Sequence, residues 1–402
     1  MKEKNPIRVL MVTPFPEIED QVVGGVAGVA YYLCKHLTDL PDIDVDVLVP
    51  DSDCEQQEER ILAGLKVTFL PKIKQHPVAR VLAPKVAKVI ADFAQQGNYD
   101  LVHIQAAPEW SIHIKQPVIT TIHGINEQDM LFRGGNELKR KLIWPFIRFA
   151  QQRKRAAIEN LIVISPYVRT VIGKALKGRS WDIENPVRED FFHMTRDVEP
   201  NTIIFAGVVI PRKNVARLVQ AMAKVKKSIP DAKLRIAGSV SDKSYGDHCL
   251  AEVERLDLQD NVEFLGSLSV DDLQEQLRSS QIMALTSLQE TAPLSIEEAM
   301  AAGMPVVSSD ICGMPHMVED GVTGALVDPM DTDAIADGLI KALNLDLPKA
   351  AAISAKIARS RFRGEVVAAQ TADAYREILG IEPSASTKER SDSPSVKTAE
   401  AA

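Results

Sequence analysis

In the run from Thr286 to Gly303, Glu290 and Glu298 are separated by seven residues, with Pro293 between them. The local pattern predicts a strand ending near Leu285, a short loop carrying Glu290, and a helix that Pro293 begins and Gly303 stops. Glu298 then lies about a turn and a half inside the helix. Both carboxylates face the space beyond the strand end, where the free N–H groups of Leu294 and Ser295 also point. Carboxylates accept hydrogen bonds from vicinal hydroxyls and a helix N-terminus receives phosphate, so the arrangement suits a sugar nucleotide. The competing account leaves Glu297 and Glu298 as early-turn acids that favour the helix dipole by roughly a few tenths of a kcal/mol.

Two further clusters fit the same chemistry. Phe205 to Asn214 reads as a strand end, Gly207, and then Arg212 and Lys213 before a helix. A diphosphate there meets a bidentate guanidinium and a point charge; otherwise these are solvated helix-start cations. In the first half, Gly24-Gly25-Val26-Ala27-Gly28 precedes a helix and follows the strand Ile7 to Val12. Glycines let a backbone approach phosphate at a helix N-terminus. The run is not G-x-G-x-x-G, and a loop of roughly ten residues is too long for the usual tight turn, which argues against a nicotinamide enzyme. His123 ends another first-half strand on the same rim, where a packing or surface histidine is the alternative.

These residues need a scaffold, and the chain supplies two. At 402 residues, length argues for two domains. Short apolar strands without in/out alternation alternate with helical patterns: Ile7 to Val12, Ile43 to Val49, Val67 to Leu70, Asp100 to Ile104, Val118 to Ile122 and Leu161 to Ile164 are strands. Val26 to Leu40, Val78 to Ala94 and Glu137 to Glu159 are helices, and Ser165-Pro166 caps another. After Pro200 the alternation restarts with Thr202 to Ala206, Lys233 to Ala237, Val262 to Phe264, Ile282 to Leu285 and Pro305 to Ser308 as strands. Helices are predicted at Asn214 to Lys227, Asp247 to Leu256, Val270 to Arg278, Pro293 to Ala302 and Thr332 to Leu343. Such strands are expected where helices cover both faces of a parallel sheet. The fold class is therefore α/β, with two Rossmann-like doubly wound parallel sheets facing across a cleft and ligands beyond the strands' carboxyl ends. The expected domains are 1–190 and 197–361. A terminal helix at 362–380 returns to the first domain, and a Ser, Pro, Lys and Glu-rich tail at 382–402 is left disordered.

Composition bounds the remaining classes. With 45% hydrophobic and 25% charged residues, the chain is neither disordered nor a fibrous or disulfide scaffold. A net charge of -8 gives no reason to expect nucleic acid as partner. No apolar run approaches the roughly 20 residues of a membrane span and no signal peptide is evident, so the expected compartment is the cytoplasm. Cys34, Cys54, Cys249 and Cys312 lack metal or disulfide spacing and are expected to be buried thiols.

With Glu290, Glu298 and the following Glu-Ala-Met-Ala-x-Gly-x-Pro-Val-Val, the second half resembles glycosyltransferase family 4, the group 1 retaining enzymes of the GT-B fold. Cys312-Gly313-Met314-Pro315-His316, Asp320-Gly321-Val322-Thr323-Gly324 and Val327-Asp328-Pro329 extend the resemblance. The resemblance implies that Glu298 holds ribose hydroxyls, Glu290 the hydroxyls of the transferred sugar, and that the Gly24-Gly25 loop closes over the donor diphosphate. It places His123 near the reacting carbon and matches Lys213 to a family lysine. The chain departs from the family where Gly-Arg is replaced by Gly207-Val208, leaving Arg212 to supply the charge. It departs again where Phe-Gly is replaced by Ala292-Pro293, since Pro293 lacks an N–H, and where Gly-x-Pro-Glu ends in His316, whose role stays open.

The expected activity is retaining transfer of a sugar from a nucleotide diphosphate sugar to a hydroxyl acceptor, saccharide or lipid-linked, in polysaccharide or glycoconjugate synthesis. The alternatives are a sugar-nucleotide epimerase or phosphorylase on the same plan, and a non-catalytic scaffold. No metal or other cofactor is expected: Asp44-Val45-Asp46 and Asp51-Ser52-Asp53 are chance D-x-D strings, and His103, His113 and His123 lack zinc-site spacing. Residues 132–155 carry eight Lys or Arg among Trp144, Phe146 and Phe149. That stretch is either a helix with a solvated basic face or a peripheral membrane contact.

Overall fold

The structure, a computed structural model of the chain, describes residues 5–19, 25–74, 85–105, 107–132 and 137–382. The first sheet is built from β1 (Ile7–Val12), β2 (Ile43–Ser52), β3 (Glu58–Leu62), β4 (Leu65–Pro71), β5 (Leu101–Ile104), β6 (Val118–Thr121), β7 (Asn160–Val163) and β8 (Arg179–Asp182). Their order is β3-β4-β2-β1-β5-β6-β7-β8, and among these pairs β3 with β4 is antiparallel. The second sheet, β11-β10-β9-β12-β13-β14, is parallel throughout. It uses β9 (Thr202–Ala206), β10 (Lys233–Ala237), β11 (Val262–Gly266), β12 (Ile282–Leu285), β13 (Val306–Ser309) and β14 (Gly324–Val327). Strands β9, β12 and β13 are buried at every position, because helices cover both faces.

The first-lobe helices are α1 (Gly25–Thr38), α2 (Lys85–Gln96), the single turn α3 (Asn126–Asp129), α4 (Glu137–Arg155) and α5 (Pro166–Ile172). In the second lobe they are α6 (Val215–Ser228), α7 (Lys243–Arg255), α8 (Val270–Ser279), α9 (Leu294–Ala301), α10 (Thr332–Leu343) and α11 (Leu347–Arg361), followed by α12 (Gly364–Ile378). α6 turns Val215, Leu218, Val219, Met222 and Val225 inward, the spacing of one helical face.

Each sheet reverses its strand order at one place, between β1 and β5 in the first and between β9 and β12 in the second. At such a switch point the connections leave in opposite directions and open a crevice beyond the strand ends. The loops expected to carry chemistry leave from these strands or their neighbours.

The chain crosses between lobes twice, and the crossings pair. Val187 N–H donates to Phe362 O at 2.8 Å, and Arg361 forks onto the carboxylate of Glu184. Val187, Phe191 and Phe192 already pack into the second core. α12 lies on α1, and its Val367, Ala368, Ala372 and Tyr375 join the first core. Tyr375 Oη bonds His103 Nδ1 at 2.7 Å, while His103 Nε2 meets Thr121 Oγ1 at 2.7 Å. Burial lowers the His103 pKa to about 3, so it is a neutral core residue.

Several local expectations need correction. Pro293 caps α9 instead of beginning it: its ψ of 116° is extended and its carbonyl accepts from Ile296 N at 2.9 Å. Asn214 likewise precedes α6 in a left-handed conformation, because its side-chain amide reaches Thr286 O and Pro329 O. α7 starts a turn before Asp247, where Asp242 accepts from Tyr245 N. Cys34 and Cys249 are buried, but Cys54 and Cys312 are partly exposed. β3, β8 and α11 were not anticipated. The predicted helix start at Val78 and the tail from 383 lie outside the described residues.

Tyr375→Phe leaves His103 Nδ1 without its partner at a fully buried site. The expected result is a loss of about 1–3 kcal/mol of unfolding free energy, measured as an earlier urea midpoint. An unchanged midpoint would mean that apolar contact alone holds α12 in place.

Candidate active site

The second-lobe switch point gathers a charged cluster. The segment after β9 turns through Gly207 and Pro211 to Arg212 and Lys213, and the loop after β12 brings Glu290 to meet them. Glu290 Oε1 lies 2.6 Å from Lys213 Nζ and 2.8 Å from an Arg212 nitrogen, with the Glu290 side chain only 11% exposed. Burial alone would raise the Glu290 pKa, but Lys213 and then Arg212 outweigh it and hold the carboxyl below its ordinary value. Arg212 is also a strut: its Nη1 donates to Gln289 O at 2.5 Å and its carbonyl accepts from Leu288 N at 2.8 Å.

Backbone freedom makes the cluster possible. Gly207 donates to Ala237 O, and a Cβ on Gly238 would stand 1.9 Å from Gly207 O, so the ends of β9 and β10 close only with glycine at 238. A Cβ on Gly207 would lie 3.7 Å from Lys213 Nζ, which places the lysine over that turn. Val208, where the family has arginine, is 38% exposed.

Glu298 sits on α9 near Arg188 of the interlobe connection, and burial pushes its carboxyl up to about 7 against the pull of Arg188. Leu294 and Ser295, the first two residues of α9, are partly exposed and have no intrahelical acceptor for their N–H groups. Glu297 points the other way. It is 1% exposed, its Oε1 is 3.5 Å from Asn185 Nδ2, and burial followed by the Glu184 charge raises it well above the carboxylate range.

From the first lobe, Gly25 opens α1 with φ +59° and nothing within 4 Å of an added Cβ. Gly24 lies outside the described residues. His123, two residues past β6, bonds Gln105 Oε1 through Nε2 at 2.9 Å. Burial lowers its pKa to about 4, with neighbouring Asn185 acting in the opposite sense, so the ring is neutral at pH 7. A cavity of about 10 Å³, room for one water, is bounded by Gln105, His123 and Asn185.

The discounted residues have structural partners. Asp46 accepts from Tyr99 Oη at 2.8 Å, and Asp44 lies 3.5 Å from Arg8. His316 is exposed, with its carbonyl accepting from Arg361. Arg155 at the end of α4 forms a buried pair with Glu127 of α3, and Lys154 meets Glu109 at 2.8 Å. Leu142, Phe146 and Phe149 stand exposed one or two turns apart.

Family models agree with this geometry over both lobes. The model for glycosyl transferases group 1 matches residues 187–361, and that for glycosyltransferase family 4 matches residues 23–188. The chain belongs to glycosyltransferase family 4. This family 4 enzyme is 26% identical over 392 residues to phosphatidyl-myo-inositol mannosyltransferase of Mycolicibacterium smegmatis, covering 93% of this chain and 95% of the relative. Among solved structures it resembles sucrose-phosphate synthase of Thermosynechococcus elongatus, with TM-score 0.72, 20% identity and coverage of 93% and 99%. It also resembles an Anabaena protein in complex with UDP and glucose, with TM-score 0.66, 19% identity and coverage of 91% and 98%. These structures establish the GT-B fold.

The glycosyltransferase brings Glu290, Lys213, Arg212 and Gly207 together at one switch point, with Glu298, Leu294 and Ser295 on the adjoining helix. Gln105, Asn185, Arg188 and Gln289 also meet this region and were not singled out as site residues. Asn185 had a signal, the Asn185-Pro186 boundary between halves; the others had none.

Between about pH 4.5 and 7, folded Glu298 holds a proton that the unfolded chain has released. Its contribution to stability is therefore full below that window and falls as pH rises through it, by up to about 1.4 kcal/mol per unit. Glu298→Gln should remove this part of the slope in denaturant titrations at pH 5 and pH 8. Equal slopes for the two proteins would contradict the assigned carboxyl.

Proposed function

We propose that this glycosyltransferase moves a sugar from a nucleotide diphosphate sugar to a hydroxyl acceptor with retention of anomeric configuration. The observation that carries the reading is the cluster of Lys213 and Arg212 about Glu290 at the second switch point. In this reading Glu290 accepts from hydroxyls of the sugar, Glu298 accepts from the ribose, and His123 positions the reacting carbon. No side chain is assigned as covalent nucleophile. The acceptor oxygen attacks from the face the diphosphate leaves, the anomeric C–O bond breaks, and the acceptor proton passes to the departing phosphate oxygen. Lys213, Arg212, the backbone at Gly25 and the N–H groups of Leu294 and Ser295 stabilise the growing negative charge, which supplies most of the catalysis. No metal enters this scheme.

For the acceptor, we infer a lipid-linked hydroxyl at a membrane surface, because the full-length relative is named for a phosphatidyl-myo-inositol. α4 supports this. Leu142, Ile143, Phe146 and Phe149 are 66%, 40%, 76% and 62% exposed, and Arg148 and Arg153 lie over the rings of Trp144 and Phe149. Apolar side chains flanked by cations fit an anionic lipid interface. Among the described residues no helix is long and apolar enough to cross a membrane.

Lys213→Ala and Glu290→Ala should each lower transfer by at least about 100-fold, the scale of losing one charge-stabilising group, in protein that still unfolds cooperatively but at a lower melting temperature, since each change removes an ion-pair partner from the nearly buried cluster. Near-wild-type turnover in both would refute the assignment. Nucleotide sugar without acceptor separates the rivals: slow hydrolysis is expected of the transferase, a changed sugar of an epimerase. Tight nucleotide binding with no turnover on any acceptor pool would favour the scaffold.

Co-sedimentation with anionic vesicles should be strong for the wild type and at least about tenfold weaker for Phe146→Ser/Phe149→Ser. It should also fall with added salt. Equal binding by both proteins would remove α4 from the interface.

A further inference from the structure

We propose that Tyr167 is a positioning residue, through which the first lobe fixes the loop that carries Glu290. Ser165 caps α5 and Pro166 opens it, which aims the first turn of that short helix at the second lobe. Tyr167 Oη donates to Gln289 Oε1 at 3.0 Å, and Cys312 Sγ lies 3.0 Å from the same oxygen. Gln289 is 2% exposed. Its amide oxygen thus takes one partner from each lobe, filling both lone pairs.

Gln289 is the residue before Glu290, and its own carbonyl accepts from Arg212. A second contact lies alongside. Gly313 N–H donates to Glu290 O at 3.0 Å, and a Cβ at Gly313 would stand 1.6 Å from Thr291 O and 3.1 Å from Ser165 Oγ. The first turn of α5 therefore presses on both second-lobe loops that frame Glu290. If the lobes separate, the buried Gln289 oxygen loses the Tyr167 hydroxyl, and that loss favours the closed arrangement. Closure and the setting of Glu290 against Lys213 are thereby one event. Tyr167 also bonds Cys312, the other partner of the Gln289 oxygen, so its effect on transfer passes through the Gln289–Cys312 pair.

This inference rests on the transfer reading for its kinetic arm and stands apart from it in its exchange arm. Tyr167→Phe keeps the ring, which packs against the first core, and removes the hydroxyl. Expected are a kcat about tenfold lower, on the scale of one hydrogen bond, and unchanged melting temperature and UDP affinity. Amide hydrogen exchange across 286–292 should be several-fold faster. Gln289→Leu should reproduce these effects, and the double variant should be no worse than either single one. Wild-type kcat together with wild-type exchange in Tyr167→Phe overturns the proposal, as do fully additive losses. If the wild type transfers no sugar from any nucleotide sugar, the transfer reading fails by itself, and the exchange arm still decides whether Tyr167 holds the loop.

Discussion

The structure of the site depends on the ion cluster of Glu290 with Lys213 and Arg212. Three nearly buried charges in a crevice are tolerable only when each finds a partner, since an isolated charge in such a place costs several kcal/mol. The second sheet meets that condition by topology. Its strand order reverses between β9 and β12, so the segment carrying the cations and the loop carrying the carboxylate rise side by side from neighbouring strands. Arg212 then ties the two loops through their backbones as well as their charges. Shifting either strand would break the pairing and leave a buried charge uncompensated.

Much of this was legible in the sequence because parallel strands buried on both faces announce themselves as apolar runs. Whatever follows such a run lies at the carboxyl edge, which located Gly207, Lys213, Glu290 and His123 from position alone. The elements that escaped lack that signature. β8 is a short, polar edge strand, with Arg179 and Asp182 exposed. α11 buries Ala350, Ser354 and Ala358, a face of small residues with little apolar contrast. β3 pairs antiparallel at the other edge, with Glu59 and Ile61 outward. The interlobe partners escaped for a different reason: Tyr167 and Gln289 are 122 positions apart and meet only through the packing of both lobes.

The connection between lobes is itself a polar structure in a buried place. Glu184 and Arg361 pair across it, Asn185 reaches toward Ala292 O and Glu297, and Val187 bonds Phe362. Glu297 replaces what would ordinarily be an apolar residue on the inner face of α9. Complete burial, and then the Glu184 charge close by, push its carboxyl well above the ordinary value, the direction expected because a neutral carboxyl is far cheaper to bury than a carboxylate. Attraction across the connection rests on two ion pairs, Glu184 with Arg361 and Glu189 with Arg363.

Glu290 and Glu298, which look alike in the sequence, are separated chemically by where they stand. Cations overcome burial at Glu290 and hold its carboxyl below the ordinary value, whereas at Glu298 burial prevails over Arg188 and carries the carboxyl to about 7. Carboxylates driven apart in this way take different roles. The charge of Glu290 is already matched by Lys213 and Arg212, which fits the proposed role of orienting hydroxyls without repelling a diphosphate held by the same cations. Glu298 changes charge near neutrality, and each hydroxyl donated to it favours the ionised form. If ribose binds at Glu298 as proposed, its binding is coupled to proton release.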